Sequence, residues 1–458
     1  MTSIKTLLLA GMAVSALLTA GAVQAETING ALALAYQSSP DLNAQRASLR
    51  ATDEQVPRAK SGYLPRLNAS SSLGKANSVF YSGSVGGQTS DYYTTPRSVG
   101  VTVTQNLYNG SRTETQVETA EKGVLAARAG LRAAEQQVLL NGATQYMNVV
   151  RDEAVVKLRI ANIDVLKEQL RQTQDRFNVG EVTRTDVAQV EAQLAAADAD
   201  VSSAVANLES SKATYQQVIG VVPSNLAEAE PVAKRLPLAV ADALKAADSE
   251  HPQLVAARLS IDIAEAQVRL VEGEFKPQVD VQGTASQSWD SKFPDDNGHD
   301  FRVLGQVSMP LYDAGEISAR ARAAKETLGQ RQMEADSVRA QIRAGVAAAW
   351  SQYETAVARV KSAKAQIDAA TIALNGVQEE AKVGQRTTLD VLISDQNLLA
   401  ARVNLVTAQR DRVVSSYQVL SAVGRLSAAS LGLQVAAYDP APHYEATKGR
   451  ITGTDKTQ

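Results

Sequence analysis

Apolar residues at helical spacing dominate the chain and predict long helices. The segments 112–177 and 316–381 each run for 66 residues without proline, and at about 1.5 Å per residue each helix would be roughly 100 Å long. A glycine turn and a second helix follow each of them, at 186–219 and 390–424. In the helix at 186–219, the spacing of apolar and small residues alternates between three and four, which indicates a coiled-coil seam. The seam residues are Val187, Val190, Leu194, Ala197, Val201, Ala204, Leu208, Ser211, Tyr215 and Val218.

Two other segments change to the alternating pattern of β-strands. Within 65–108, Val99, Val101 and Val103 alternate with polar residues, and the segment 277–312 shows the same pattern. Turn residues interrupt both segments: Gly83, Gly86 and Gly87 in the first, and residues 294–298 in the second. Each segment therefore predicts one hairpin of two strands. About ten residues per strand are enough to cross a bilayer at a tilt.

The second half of the chain repeats the first. Pro40, Leu42 and Ala44 recur 212 residues later as Pro252, Leu254 and Ala256, and the offset is 204 from Leu107-Tyr108 onwards. So regular an offset indicates an internal duplication. Each copy has the order helix, hairpin, long helix, helix, and the first helix of copy one is predicted at about 38–62.

The duplication sets the expected domain boundaries. Repeat 1 covers 26–220, a proline-containing linker covers 221–238, and repeat 2 covers 239–424. The segment 425–458 follows. Because it is polar and contains prolines, we expect disorder after about residue 436.

Residues 1–25 are predicted to be a signal peptide. Lys5 is basic, Leu7–Leu18 is apolar, and Val23-Gln24-Ala25 offers a small-x-small cleavage site. About 12 apolar residues are too few for a spanning helix, which needs about 20. We therefore expect the mature chain to be exported.

Composition excludes several classes of function. With 46 Lys and Arg against 49 Asp and Glu, the chain lacks the basic excess of a nucleic-acid-binding protein. It has no cysteine, which excludes disulfides, thiolate metal sites and cysteine nucleophiles. Its three histidines, His251, His299 and His443, lie far apart in the sequence. We therefore expect no catalytic residues, no metal site and no cofactor.

Aromatic residues concentrate in the hairpins and point to a membrane. The windows 63–108 and 275–312 hold 11 of the 20 aromatic residues, although they make up under a fifth of the chain. Outer-membrane barrels carry such aromatic girdles at both interfaces, whereas strands in general also favour aromatic residues. We interpret the hairpins as membrane strands.

Four strands cannot close a barrel by themselves, and open edges are not tolerated in lipid. Closure therefore requires several identical chains in cyclic symmetry. The sequence pattern leaves two chains with 8 strands and three chains with 12 strands both open.

The duplicated unit and its motifs resemble the TolC family of outer-membrane efflux proteins. The run R-F-N-V-G-E-V-T-R-T-D-V at 176–187 has its partner K-V-G-Q-R-T-T-L-D-V at 382–391, and Tyr63-Leu64-Pro65 also matches. The resemblance covers roughly 26–436. It implies a homotrimer with a 12-stranded β-barrel in the outer membrane of a Gram-negative bacterium, continued by a periplasmic α-helical barrel. Such channels are exit ducts of tripartite efflux pumps and type I secretion systems, joined to an inner-membrane transporter by a periplasmic adaptor.

The resemblance also implies which residues serve the duct at its periplasmic end. Asp390 matches the aspartate of the selectivity and gate ring, which we expect to have a raised pKa through repulsion between like charges. Arg386 matches a gate-linking arginine, with Thr185 and Asp186 as its partners. Val179, Gly180, Val383 and Gly384 form the turns that we expect to dock the adaptor.

Two positions depart from the family pattern. Ile393 stands where the family has a second aspartate, and Ala381 replaces a tyrosine of the gate links. The throat is therefore expected to be less acidic or to be held by fewer links. Asp395 lies nearby, at a different angle on the helix.

One alternative is a periplasmic coiled-coil adaptor or scaffold that never enters a membrane. Adaptors, however, carry one helical hairpin flanked by β-domains with glycine-rich lipoyl-like signals. This chain has two hairpins of bilayer length in a duplicated frame, which favours the duct.

Overall fold

The structure, a computed structural model, describes residues 26–81 and 89–456. The predicted signal peptide at 1–25 and the turn glycines Gly83, Gly86 and Gly87 lie outside the described residues.

Repeat 1 begins with three helices and a 3-10 turn at Ser61–Tyr63. The helices are α1 (Ile28–Ser38), α2 (Pro40–Asp53) and α3 (Gln55–Lys60). Four strands follow: β1 (Arg66–Leu73), β2 (Ala76–Tyr81), β3 (Thr89–Thr94) and β4 (Arg97–Asn109). The repeat ends with α4 (Arg112–Asn178) and α5 (Arg184–Ile219).

Repeat 2 has the same order with fewer strands. Its elements are α6 (Val240–Glu250), α7 (Pro252–Glu272), β5 (Gln278–Trp289), β6 (Asn297–Ser308), α8 (Glu316–Lys382) and α9 (Thr388–Val423). Two short helices end the chain, α10 (Ala428–Leu431) and α11 (Ala441–Thr447). The duplication is visible in the helix lengths, because α4 and α8 both have 67 residues and α5 and α9 both have 36.

The helix predicted at 38–62 is divided into separate pieces. Ser39 caps α2 by accepting the backbone N–H of Leu42 at 3.3 Å, so a new helix starts there. A second break lies at Glu54, because the ring of Pro57 would meet the carbonyl of Asp53 in a continuous helix. None of the helices in the described part of the chain is both long enough and apolar enough to span a membrane.

The strands of both repeats join in one antiparallel sheet in the order β1–β4–β5–β6. β4 and β5 pair across the repeats from Arg97↔Trp289 to Asn109↔Gln278, with a bulge between Asn106 and Tyr108. β1 and β6 are the outer strands of the described sheet, so each presents an edge to the outside of the chain.

The first hairpin is longer than the two strands predicted for it. β2 and β3 form a separate two-stranded sheet beyond β1 and β4. The ladder is interrupted at Pro96, which has no N–H to donate, although its carbonyl still accepts the N–H of Gly74 at 3.0 Å. Phe80 and Tyr92 of this extension contact Phe293 of the other hairpin loop, with ring centroids 5.5 and 5.0 Å apart.

One face of the four-stranded sheet is mostly apolar and the other is mostly polar, although Leu304 lies on the polar face and Gln287 and His299 lie on the apolar face. Directly paired residues share a face, so the register fixes both sets. The apolar face carries Leu67, Ala69, Val99, Val101, Val103, Ala285, Phe301, Val303 and Val307. The polar face carries Asn68, Ser70, Thr102, Thr104, Gln282, Thr284, Asp300 and Arg302. The apolar face is exposed in the single chain, with Phe301 at 79%.

The largest core lies where α1 and the C-terminal ends of α5 and α9 pack on the middle of α4. Two fully buried tyrosines anchor it. Tyr146 Oη lies 2.6 Å from the carbonyl oxygen of Glu26 and 2.7 Å from that of Ala227, and Tyr215 Oη donates to the Glu26 carboxylate at 2.7 Å. A buried hydroxyl without a partner is costly, so these bonds fix the start of repeat 1 and the linker to the helices.

The expectation of disorder after about residue 436 is wrong. Tyr438 donates its backbone N–H to Tyr36 Oη at 3.1 Å, and α11 follows it. His443 Nδ1 lies 2.8 Å from the Asp53 carboxylate, and Thr447 is fully buried. Polar composition suggested a solvated tail, but these polar side chains find partners on helices of repeat 1.

The junction between β4 and α4 depends on Gly110. Its φ of +71° lies in the left-handed region, and a Cβ there would lie 2.2 Å from the carbonyl oxygen of Gly273 in repeat 2. The two repeats therefore cross at the sheet-to-helix junction with backbone against backbone.

We predict that Gly110→Ala destabilises the protein by at least about 2 kcal/mol, because it combines left-handed strain with a backbone overlap. Thermal unfolding of the purified protein measures the change. Gly123→Ala is the matched control, since Gly123 lies inside α4 with no atom within 4 Å of the added Cβ. Equal melting temperatures for the two variants would contradict this account of the junction.

Candidate functional site

The candidate site is the pair of tips where the long helices turn back. The first tip, residues 176–187, joins α4 to α5. Gly180 has φ +82°, and Glu181 donates its N–H to the carbonyl of Arg176 at 2.9 Å, which closes the helix end. The Arg176 and Glu181 side chains form an ion pair at 3.1 Å.

The second tip, residues 380–391, joins α8 to α9 with the same backbone. Gly384 has φ +78°, and Gln385 donates its N–H to the carbonyl of Glu380 at 2.9 Å. The order of the charged residues is reversed, because the acidic Glu380 comes before the basic Arg386 in this tip. Arg386 Nε donates to the Glu380 carboxylate at 2.8 Å. Both tips are thus turns closed by two backbone hydrogen bonds and one exposed ion pair.

Asp186 and Asp390 occupy equivalent capping boxes. Thr387 donates its N–H to Asp390 Oδ2 at 3.0 Å, and Asp390 donates its N–H to Thr387 Oγ1 at 3.2 Å. Thr183 and Asp186 make the same bonds at 2.8 and 3.3 Å. Each box satisfies backbone donors at a helix start.

These hydrogen bonds set the charge of both aspartates. Donation from the Thr387 backbone and then from its hydroxyl lowers the pKa of Asp390, and the Thr183 hydroxyl and backbone lower the pKa of Asp186. The raised pKa predicted for Asp390 is therefore not found within one chain, where the bonds from Thr387 decide the direction. Because the pKa of the aspartate is lowered on folding, the capping box stabilises the tip fully at any pH above the pKa of Asp in the unfolded chain. This stabilisation is lost as the pH falls through the lower pKa of the folded state.

The predicted bonds from Arg386 to Thr185 and Asp186 are not formed within the described chain. Arg386 is held by Glu380 of its own tip, which also raises its pKa, and Asp186 is engaged by Thr183. Thr185 is exposed. Local partners three to six residues away are reached with less loss of side-chain freedom than partners on the other repeat.

The two helical hairpins nevertheless meet near the tips. Leu392 of α9 is buried among Ile163, Leu166 and Val190 of the α4–α5 pair. Val391, the preceding residue, instead packs with Leu374 and Leu398 in its own hairpin. One apolar flank of α9 thus packs against the α4–α5 pair and the other packs within its own hairpin. Asp390 lies in the first turn of α9, directly before the residues that make these contacts.

The turn residues form the end of the molecule. Val179 and Val383 are each 72% exposed, and no heavy atom lies within 4 Å of a Cβ built on Gly180 or Gly384. Val383 therefore lies beside open space at the turn.

Sequence reasoning missed the part played by Glu380. The sequence signal for this pair is an acidic and a basic residue on either side of the turn glycine. Glu380 and Arg386 are six residues apart in the second tip, and Arg176 and Glu181 are five apart in the first.

Asp395 is partly buried, and burial raises its pKa. Ile393 is exposed and Ala381 packs against the α8–α9 core, so neither adds an acidic group or a link. Among the described residues, no group of His, Asp and Glu is arranged to hold a metal.

Comparison with known proteins gives the family. The profile of the family described as outer membrane efflux protein matches residues 31–221 and 243–425, which together are most of the chain and both repeats.

Two relatives and one solved structure are similar over nearly the whole length. Outer membrane efflux protein BepC of Brucella suis is 39% identical over 95% of this chain and 93% of its own. Outer membrane protein TolC of Escherichia coli is 24% identical over 88% of this chain and 83% of its own. The CmeC outer membrane channel of Campylobacter jejuni matches with a TM-score of 0.76 at 17% identity, covering 92% of this chain and 89% of its own.

These likenesses confirm the predicted fold class, a sheet domain continued by a long helical tunnel in a duplicated chain. They also confirm an outer-membrane exit duct with a periplasmic tunnel over the alternative of a periplasmic scaffold. The chain belongs to the family of outer membrane efflux proteins.

Proposed function

We propose that three copies of this chain close a 12-stranded barrel and form the exit duct of a tripartite efflux pump or a type I secretion system. The observation that carries the proposal is a sheet with two unlike faces and two outer strands, β1 and β6. Open sheet edges are not stable in lipid, so β6 of one chain pairs with β1 of the next.

The number of chains follows from the width of the lumen. Two chains would give eight strands, and an eight-stranded barrel has an interior that side chains fill. Three chains give twelve strands and leave an open passage. The polar face lines this passage, and the apolar face contacts the lipid of the outer membrane.

The helices continue the passage away from the sheet. α4 and α8 run about 100 Å at 1.5 Å per residue, and each pairs with the helices that precede and follow it. Each repeat thus supplies two columns, and three chains supply twelve. A chain of this family acts in transport rather than catalysis, so the energy for export comes from an inner-membrane transporter.

The tips form the gate of this duct. Symmetry brings one Asp390 from each chain around the axis, where the three carboxylates attract cations. In the assembled duct, Arg386 links to Thr185 or Asp186 of a neighbouring column, and an exposed link of this kind is weak. A periplasmic adaptor that docks on Val179, Gly180, Val383 and Gly384 opens the gate.

Thiol crosslinking tests the closure of the barrel, because the chain has no cysteine of its own. With Ser70→Cys on β1 and Asp300→Cys on β6, a bifunctional thiol reagent should give linked dimers and trimers and nothing larger. Moving the second cysteine along β6 two residues at a time keeps it on the same face and finds the register.

The matched control pairs Ser98→Cys with Ser288→Cys, which face each other within one chain. This pair should crosslink without any band above the monomer. A series of linked species beyond three chains, or none at any register, would exclude the closed trimer.

Conductance in planar bilayers tests the ring. Asp390→Asn should lower the cation preference several-fold, because it removes three negative charges from the narrowest point, and should weaken block by multivalent cations applied at the tips. The asparagine oxygen can still accept from Thr387, so the helix start is preserved. Because the Thr387 bonds lower the pKa of Asp390, the wild-type cation preference should decline only at a pH below the ordinary titration range of an aspartate.

Asp186→Asn is the matched control, since it makes the same change in an equivalent capping box. Selectivity that falls equally in both variants, or in neither, would contradict a special role for Asp390.

Docking at the tips is tested by export in cells. Val383→Glu should abolish the resistance or secretion that the wild-type gene restores, because a charge replaces an exposed apolar contact. The trimer and its conductance should be unchanged. Val222→Glu in the linker, where the valine is 63% exposed, should leave export intact. Export that survives Val383→Glu would exclude this surface as the docking site.

A further inference from the structure

We propose that a basic cavity at the helix-to-sheet junction of repeat 1, here called the junction cavity, binds the phosphate of an anionic phospholipid head group. The inference rests on the proposed function to the extent that the sheet lies in the outer membrane. It adds a ligand, a site and a role for the C-terminal segment.

The junction cavity lies between two walls and is partly open to solvent. One wall is α3 and the 3-10 turn before β1, including Pro57, Tyr63 and Leu64, and the other wall is the C-terminal segment 448–456. The volume is ≈ 830 Å³, within the range of about 300–1,000 Å³ that is usual for small-molecule sites. The cavity is therefore large enough for a head group with part of its glycerol.

The lining is positively charged. It contains five basic and two acidic residues, so its formal charge is +3. The basic residues are Arg58, Lys60, Lys448, Arg450 and Lys456, and the acidic ones are Glu54 and Asp455. The pairing of Lys60 is loose, with its Nζ 4.0 Å from the exposed Glu121 carboxylate. A concentrated positive lining of this kind is suited to a phosphate.

The position along the membrane normal fits a head group. Tyr63 lines the cavity and its carbonyl accepts from Gln105 of β4 at 3.1 Å, so the cavity adjoins the first residues of the sheet. Aromatic side chains surround the sheet at this level: Tyr63, Tyr108, Phe275 and Tyr312 are all exposed in the single chain. Exposed aromatic residues at one end of a membrane sheet mark the depth of the head groups.

The second repeat has no equivalent of this lining. At the offset of 212, Arg58 and Lys60 correspond to Leu270 and Glu272, and Glu272 pairs with Lys325 at 2.8 Å. The C-terminal segment exists once per chain and packs on repeat 1. The basic residues are thus a feature of one repeat, and duplication alone does not account for them.

The C-terminal wall is held in place from two sides. Before the cavity, the pair of His443 with Asp53 and the buried Thr447 fix α11 on α2. At the cavity, Arg450 donates to the carbonyls of Thr452 and Asp455 at 3.2 and 2.6 Å, so the segment curls around its guanidinium. The exposed Ile451 lies in the same wall and adds apolar surface. Charge beside apolar surface favours a lipid over a free phosphate ion.

Native mass spectrometry of the detergent-purified protein tests the inference, with phosphatidylglycerol as the probe and the zwitterionic phosphatidylethanolamine as comparison. We expect up to one phosphatidylglycerol per chain. Each basic residue near an anionic lipid contributes about fivefold in affinity. The triple variant Arg58→Gln, Lys60→Gln, Lys456→Gln should therefore weaken binding at least tenfold.

The control triple variant changes the same residue types on α8. Arg359→Gln, Lys361→Gln, Lys364→Gln removes three exposed charges far from the sheet in sequence and should leave lipid binding unchanged. A chain that ends at residue 448 loses the C-terminal wall and should also lose the lipid. Equal binding by the junction variant and the wild type, or equal weakening by both triple variants, would overturn the proposal.

Two further outcomes are decisive. If inorganic phosphate alone at millimolar concentration displaces the lipid and binds as tightly, the site takes phosphate and the lipid assignment is wrong. Equal retention of phosphatidylethanolamine would exclude charge recognition. The same spectra count chains, so a trimer without lipid contradicts only this inference, and a lipid-bound species of another size contradicts only the proposed trimer.

Discussion

The need to satisfy backbone hydrogen bonds at the edges of the sheet is the constraint on which the rest of this molecule depends. Four strands in one chain leave β1 and β6 at the edges, and lipid offers no donor or acceptor to replace a neighbouring strand. The assembly of several chains is therefore a condition for membrane insertion. The helices share this symmetry because a long helix follows each hairpin.

That continuation requires an unusual joint. A strand must become a helix within two residues, while the joint between α7 and β5 of the other repeat passes against it. Gly110 and Gly273 allow this because neither has a side chain, and their backbones come within the distance that a Cβ would occupy.

The two tips share one backbone conformation but differ in their ion pairs and in their packing. Both turns use glycine with positive φ, a threonine cap and an aspartate at the third helical position. The ion pairs across the turns have opposite order, and Leu392 packs into the other hairpin. The same turn conformation therefore carries different charge orders and different packing contacts in the two tips.

The sequence by itself determined the duplication, the long helices and the presence of a hairpin in each repeat. Each of these follows from local rules: the absence of proline over 66 residues, alternation at Val99, Val101 and Val103, and a constant offset between the copies. The position of both tips was equally readable, because glycine followed by threonine and aspartate has few alternatives.

Only the tertiary structure decided which partners the polar side chains choose. Arg386 bonds Glu380 rather than Thr185, and the low pKa of Asp390 comes from Thr387. The C-terminal segment is ordered because Asp53 and His443 meet across 390 residues. Composition and periodicity register how polar a segment is, whereas a hydrogen bond depends on a distance of about 3 Å that is set by the packing of remote helices.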